Sequence, residues 1–233
     1  MKNYIVKNSK TIQKQHLELK LYNKPVNIVK AFEQPIDLSQ VLSKIEARMP
    51  QYLVQNIEGI YVGDFKEFST HGKDVNATYK DGAIYVSNKQ DNEDDLLDDV
   101  VHEIAHSMEN QYQDLIYGDE ELEAEFLAKR RTLYFLLDRA DMGLEKNLMY
   151  FLNPEYNFNF DMFLYKKLGY DYLRSASSGL FYSPYAITSL KEYWANGFEN
   201  YFLGDRQKLK ELSPILYNKI KALIEAAEKQ GGI

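Results

Sequence analysis

The segment Val100-Val101-His102-Glu103-Ile104-Ala105-His106-Ser107 constrains the fold more than any other part of the chain. It fits the pattern His-Glu-x-x-His. Positions four apart share one face of an α-helix, so the two imidazoles can serve a single metal ion if the segment is helical. The flanking residues Leu96, Leu97, Val100, Val101, Ile104, Ala105 and Met108 are apolar at helical spacing. That helix is therefore expected to be buried, where an unpaired histidine is costly. The bland alternative is a helix whose two histidines merely pack or cap. Against it, the chain has only 4 histidines and two of them are here. The residue after the first one is a glutamate, placed to act as general base toward an attacking water.

Composition narrows the classes of function. A formal net charge of −7 argues against a nucleic-acid partner, which would need a face rich in lysine and arginine. With no cysteine there is neither a disulfide framework nor a thiolate metal site. The first ten residues lack the apolar run of a signal peptide, so the chain is expected in the cytoplasm if it is complete and outside the cell if a leader has been removed. No window approaches a membrane span. The expected partner is a peptide or protein substrate.

Residues 1–24 are polar and lysine-rich and read as an arm or a weak first element. Val26 to Phe32 has strand character, with Pro35 ending it. From Asp37 to about Met49, Leu38, Val41, Leu42 and Ile45 form one helical stripe ahead of Pro50. Ile57 to Phe65 reads as a central strand, and Ala77 to Val86 as a hairpin turning at Lys80-Asp81-Gly82. The acidic run Asp91 to Asp95 lacks the spacing and turning glycine of a calcium loop, and is expected to cap and charge the start of the motif helix. Beyond residue 92 the pattern is helical, over about 92–113, 120–140, 143–151, 158–168, 188–203 and 213–229. Strands followed by helices imply an α+β fold, with a small mixed sheet in the N-terminal part and a mostly helical C-terminal part. No linker separates two domains. One domain over 1–233 is expected, mainly strand-bearing over 1–90 and helical over 91–233.

A catalytic metal site needs a third protein ligand and one open position. His16 and His71 lie upstream in polar surroundings and read as surface residues, so a carboxylate is expected. Glu125 falls 19 residues after His106, a spacing typical of metallopeptidases whose next helix supplies the ligand. Its helix is also rich in charge, and the plain alternative is that Glu125 pairs with Lys129 four residues on. Glu192, in Tyr185-Ala186-Ile187-Thr188-Ser189-Leu190-Lys191-Glu192-Tyr193-Trp194-Ala195-Asn196-Gly197-Phe198, is the second candidate.

His-Glu-Ile-Ala-His followed by Glu-Tyr-Trp-Ala-Asn-Gly-Phe resembles the zinc peptidase family of anthrax lethal factor and the Pro-Pro endopeptidases. The resemblance covers about 90–113 and 183–225. It implies a zincin-like fold, one zinc ion held by His102, His106 and Glu192, and Glu103 as general base. It also implies that Tyr185, seven residues before Glu192, stabilises the oxyanion. Two features depart from the family. Asn196 stands where the family has a second glutamate that supports a ligating imidazole. Glu192 follows His106 by 86 residues, which makes the region near 120–165 look like a helical insertion. The strand Ile84-Tyr85-Val86, just before the motif helix, is the candidate edge that aligns an extended substrate. The function expected is that of a metalloendopeptidase. Alternatives are an aminopeptidase that uses Glu125, or a peptidase-fold protein with weak or no activity that recognises a partner, for instance within a toxin-related assembly.

Overall fold

A computed structural model describes residues 19–70, 73–140 and 148–231. Strands β1 (Lys20–Leu21) and β2 (Lys24–Ile28) form an edge hairpin, after which helix α1 (Leu38–Arg48) crosses to β3 (Gly59–Gly63). The Asp37 side chain caps α1 by accepting from Gln40 N–H, and Leu38, Val41, Leu42 and Ile45 are its buried stripe, as the periodicity implies. A two-stranded ribbon follows, β4 (Ser69–Thr70) and β5 (Lys73–Asp74), then the hairpin of β6 (Ala77–Lys80) and β7 (Ala83–Ser87). Its turn holds Asp81 at φ 50° and Gly82 at φ 82°, the left-handed pair that matches the twist of two short strands.

The main sheet has the order β1-β2-β3-β7-β6. β2, β3 and β7 run parallel, while β1 and β6 pair antiparallel at the two sides. β3 is the central strand, buried along its length except at Tyr61. β2 ends earlier than its apolar sequence suggests. The N–H groups of Val29 and Lys30 both turn onto the carbonyl of Val62, at 2.8 and 3.2 Å, so the ladder cannot continue toward Phe32. Of the polar N-terminal segment, residues 19–24 supply β1 and the start of β2; His16 and His71 lie outside the described residues.

The helical part begins with α2 (Glu93–Glu109), which ends four residues short of the expected helix, and a short α3 (Gln113–Tyr117) follows. Next come α4 (Glu121–Arg139), α5 (Leu148–Phe151), and α6 (Phe158–Met162) running into π-helical turns over Phe163–Leu168. α7 (Tyr170–Ala176) and α9 (Arg206–Leu212) are short helices that the periodicity does not reveal; α8 (Leu190–Leu203) and α10 (Pro214–Gly231) are longer and close to their expected bounds. The expected helix over 143–151 is described only from Leu148. The fold is α+β, and one apolar core runs from Leu21 in β1 to Ala227 in α10. Among the described residues no helix is long and apolar enough to cross a membrane.

α2 lies between the sheet and the helices, packed on β6, β7, α1 and most extensively on α8. α8 in turn rests on α10, and the contact is close at Gly197. A Cβ added there would stand 2.3 Å from Leu216 Cδ2, inside any van der Waals limit. Gly197→Ala must therefore displace the buried Leu216 side chain. It is expected to lower the unfolding free energy by about 1–3 kcal/mol, the usual range for overpacking a tight core. Urea denaturation of the variant measures this, and an unchanged midpoint would contradict the packing described.

Candidate metal centre

The start of α2 is fixed by Asn92, whose side-chain oxygen accepts from the N–H groups of Asp94 and Asp95 at 2.9 and 3.0 Å. Glu93, Asp94 and Asp95 fill the first turn, where negative charge suits the helix dipole. The run Asp91–Asp95 thus caps and charges the helix. With that start and the buried stripe beneath, His102 and His106 stand one turn apart on the same face, ring centroids 5.0 Å apart.

α8 brings the third group. Ser189 Oγ accepts from Glu192 N–H at 3.2 Å, so the serine caps the helix and holds Glu192 in its first turn. Trp194, 0% exposed, donates its indole N–H to the carbonyl of Ala105 at 3.4 Å, bracing α8 against the stretch of α2 between the two histidines. Glu192 Oε2 lies 2.9 Å from His102 Nε2 and 3.7 Å from His106 Nε2. One donor atom from each of the three residues lies within 4.8 Å of the others, a group that could hold a metal ion.

The opposite ring nitrogens are also fixed. His106 Nδ1 lies 2.6 Å from Glu109 Oε1, and His102 Nδ1 lies 3.5 Å from Glu199 Oε2. A carboxylate on Nδ1 keeps a proton there and leaves Nε2 to ligate, the usual support of an imidazole ligand. Glu109 is further neutralised by Lys191 at 3.4 Å. Electrostatics follow from this packing. Burial lowers the basicity of His102, but Glu192 and Glu199 outweigh it and lift its pKa to about 9. Burial also works against protonated His106, and Glu109 and Glu192 raise it well above its ordinary value. Burial favours the neutral form of Glu192, yet its contacts with both imidazoles hold the carboxyl well below the usual carboxylate range. A dianionic or trianionic cluster around two imidazoles is a site that only cations satisfy, protons or a metal. The donor set of two imidazoles and one carboxylate fits a divalent ion with a position left open.

Glu103 and Tyr185 share a cleft of about 920 Å³ with these three residues. Glu103 is 8% exposed and accepts the Tyr79 N–H at 2.6 Å; its burial raises its pKa. Tyr185 starts a short 3-10 turn, with its ring centroid 6.3 Å from that of His102. Burial and the charge of Glu192 push its phenol pKa upward, so it is an O–H donor at all ordinary pH.

Several sequence expectations need correction. Glu125 is not part of the cluster. Its carboxylate accepts from Ile215 and Leu216 N–H at 2.9 and 3.1 Å and from Tyr193 Oη at 2.9 Å, so it caps α10. Ile84, Tyr85 and Val86 do not form an edge, because β7 is paired on one side with β3 and on the other with β6. The outer strand beside the cleft is β6. Asn196 is buried but does not reach an imidazole; its Nδ2 donates to Glu199 Oε2 at 3.4 Å, and Glu199 is the group that faces His102. Glu109 and Glu199 escaped the sequence reading, although their spacings carry a signal. Glu109 is three residues after His106, and Glu192, Asn196 and Glu199 follow one another at helical intervals.

Compared with known proteins, the chain matches no family model, no curated protein and no solved structure.

Glu192→Ala is expected to abolish stoichiometric metal binding, read by elemental analysis. Glu125→Ala should keep the metal and instead lower stability by about 1–3 kcal/mol, through the N–H groups it strands. The reverse pattern would transfer the ligand role to Glu125. Glu199→Gln removes charge from His102 Nδ1 without removing its partner, and should weaken metal affinity by roughly 10- to 100-fold in a competition titration with a chelator.

Proposed function

We propose that this protein is a zinc-dependent endopeptidase of zincin-like fold, similar in its chemistry to lethal factor and the Pro-Pro endopeptidases. The observation that carries the reading is the convergence of His102 Nε2, His106 Nε2 and the Glu192 carboxylate in a cleft that also contains Glu103 and Tyr185. A zinc ion held by those three side chains supplies Lewis acidity, lowering the pKa of water and polarising a carbonyl.

The chain's own groups do the rest. Glu103 takes a proton from the attacking water and returns it to the leaving amine, and its burial gives the carboxylate the extra basicity this needs. The amide of Tyr79 limits the orientations open to Glu103. Tyr185 remains protonated and donates to the oxyanion as charge develops there, a contact made mainly in the transition state. β6 takes the aligning role first expected of the strand before α2. Asn76 accepts from Ser87 N–H on β7, and by alternation the N–H and C=O of Ala77 and the C=O of Tyr79 turn outward along the cleft, the Tyr79 N–H being taken by Glu103. Among the described residues no strand pairs with that side of β6, so an extended peptide can add there by main-chain bonds.

The reading is tested with a peptide library under mass-spectrometric readout, with and without chelator. Wild-type protein should cut chelator-sensitively. Glu103→Gln should retain its metal and lose cleavage by at least about 100-fold. Tyr185→Phe should lower kcat by roughly 100-fold with a smaller effect on KM. Undiminished cleavage by the Glu103 variant would sink the mechanism, and peptide binding without turnover by the wild type would favour a recognition protein.

A further inference from the structure

The cleft is lined by carboxylates. Asp95, Asp98 and Asp99 come from α2 and Glu199 from α8, in addition to Glu103 and Glu192. Arg174 is the one lysine or arginine among its described lining residues. A guanidinium stays charged at any working pH and presents a planar fork of donors, so surroundings this acidic should capture it in an ion pair. Yet Arg174 makes no ion pair, hydrogen bond or ring contact among the described residues. The acids nearest the site face other groups: Glu199 meets His102 and Asn196, and Asp99 accepts from Gln90 Nε2 at 2.9 Å. The fork of Arg174 is left for something that enters from solution.

Its mount is firm. α7 is anchored through Leu173, which is fully buried and whose carbonyl accepts from both Ser177 N–H and Ser177 Oγ. At the other end Tyr170 donates to Asp161 Oδ1 at 3.1 Å, and Asp161 is itself buried and held by Tyr156 at 2.9 Å. Arg174 also borders a second cleft of about 420 Å³, where Lys208 lies 5.4 Å from the Tyr182 ring centroid and the one acid, Glu211, accepts from Gln207. The excess of acid on the metal side thus ends at Arg174, since beyond it one lysine, Lys208, stands against one acid, Glu211. A negatively charged substrate group is repelled along most of the first cleft and attracted where the two clefts meet.

We infer that Arg174 is a specificity-determining residue that takes a carboxylate of the bound peptide, and so sets which bond lies over the metal. The carboxylate is an aspartate or glutamate side chain or the peptide's own C-terminus. Bidentate pairing with a carboxylate is the contact a guanidinium fork is shaped for. The inference rests on reading the site as a peptide site, and its test is chosen to separate the two.

The test uses metal-loaded Glu103→Gln protein, which binds without cutting, and measures peptide affinity by calorimetry. Synthetic peptides differ only by glutamate against glutamine at each position in turn, or by a free against an amidated C-terminus. One carboxylate should tighten binding by about tenfold. Adding Arg174→Gln should erase that preference, and adding Arg174→Glu should turn it toward lysine at the same position. Metal content should be unchanged in both, since Arg174 is exposed and contacts none of the ligands. Loss of the preference on glutamine substitution identifies a side-chain carboxylate, and loss on amidation identifies the C-terminus. Absence of any carboxylate preference, or a preference that survives Arg174→Gln, overturns the inference. Wild-type protein that cuts peptides without such a preference refutes the role of Arg174 and leaves the peptidase reading standing. Arg174-dependent binding without cleavage does the opposite.

Discussion

The architecture of this protein depends on one buried meeting point, where the Glu192 carboxylate comes within reach of two imidazoles on another helix. Such a group is expensive to desolvate, and its attraction repays that only if the geometry is held by other means. Here it is held by apolar packing. Trp194 and Phe198 are fully buried along α8, and the indole N–H closes onto Ala105 between the two histidines. Neither helix could assemble the cluster alone, since α2 supplies the two imidazoles and α8 the carboxylate. The tight approach of α8 to α10 at Gly197 transmits the same constraint to the C-terminal helix.

The residues between α2 and α8 explain why Glu192 lies so far along the chain from the two histidines. Arg130 in α4 is 1% exposed and stacked between the Phe126 and Phe160 rings, and it donates to the carbonyls of Tyr150 and Asn153. The next carbonyl, that of Pro154, accepts from Leu190 N–H at 2.8 Å, at the start of α8. Lys129 binds the carbonyls of Leu180 and Leu212, and Glu125 caps α10. Three residues on two successive turns of α4 therefore tie down the chain ahead of α8 and the start of α10. What reads in the sequence as a charged helix face in an insertion is the frame on which Glu192 is aligned.

The parts of the fold legible in the sequence are those governed by local periodicity. The stripe Leu38-Val41-Leu42-Ile45, the turn at Asp81-Gly82 and the i, i+4 histidines each depend on neighbours within a few residues. The order of strands does not. β7 looks like an edge because the hairpin with β6 accounts for one of its sides and nothing in Ile84-Tyr85-Val86 says that β3 lines the other, and its near-continuous burial is what an internal strand needs. The end of β2 was hidden for a similar reason, since the Val62 carbonyl that draws Val29 and Lys30 out of the ladder is 33 residues away from Val29 in the chain. Helices as short as α7 and α9 carry too few residues to show a period at all.

The position that looked like a loss, Asn196, is better understood as a displacement. An anion needed near His102 can come from residue 196 or from residue 199, because both lie on the α8 face that carries Glu192. Here the charge sits at Glu199, with Asn196 donating to it, so the amide steadies the carboxylate that meets His102 Nδ1. The two imidazoles are then supported unequally. His106 has a buried glutamate at 2.6 Å on its own helix, whereas His102 has a partner at 3.5 Å on another helix and shared with an amide. A pair that lies within α2 survives any small shift between helices, while a pair that spans α2 and α8 does not. His102 is therefore the imidazole whose orientation reports on how α8 packs, and Glu192, which rides on α8 with Glu199, moves with that support.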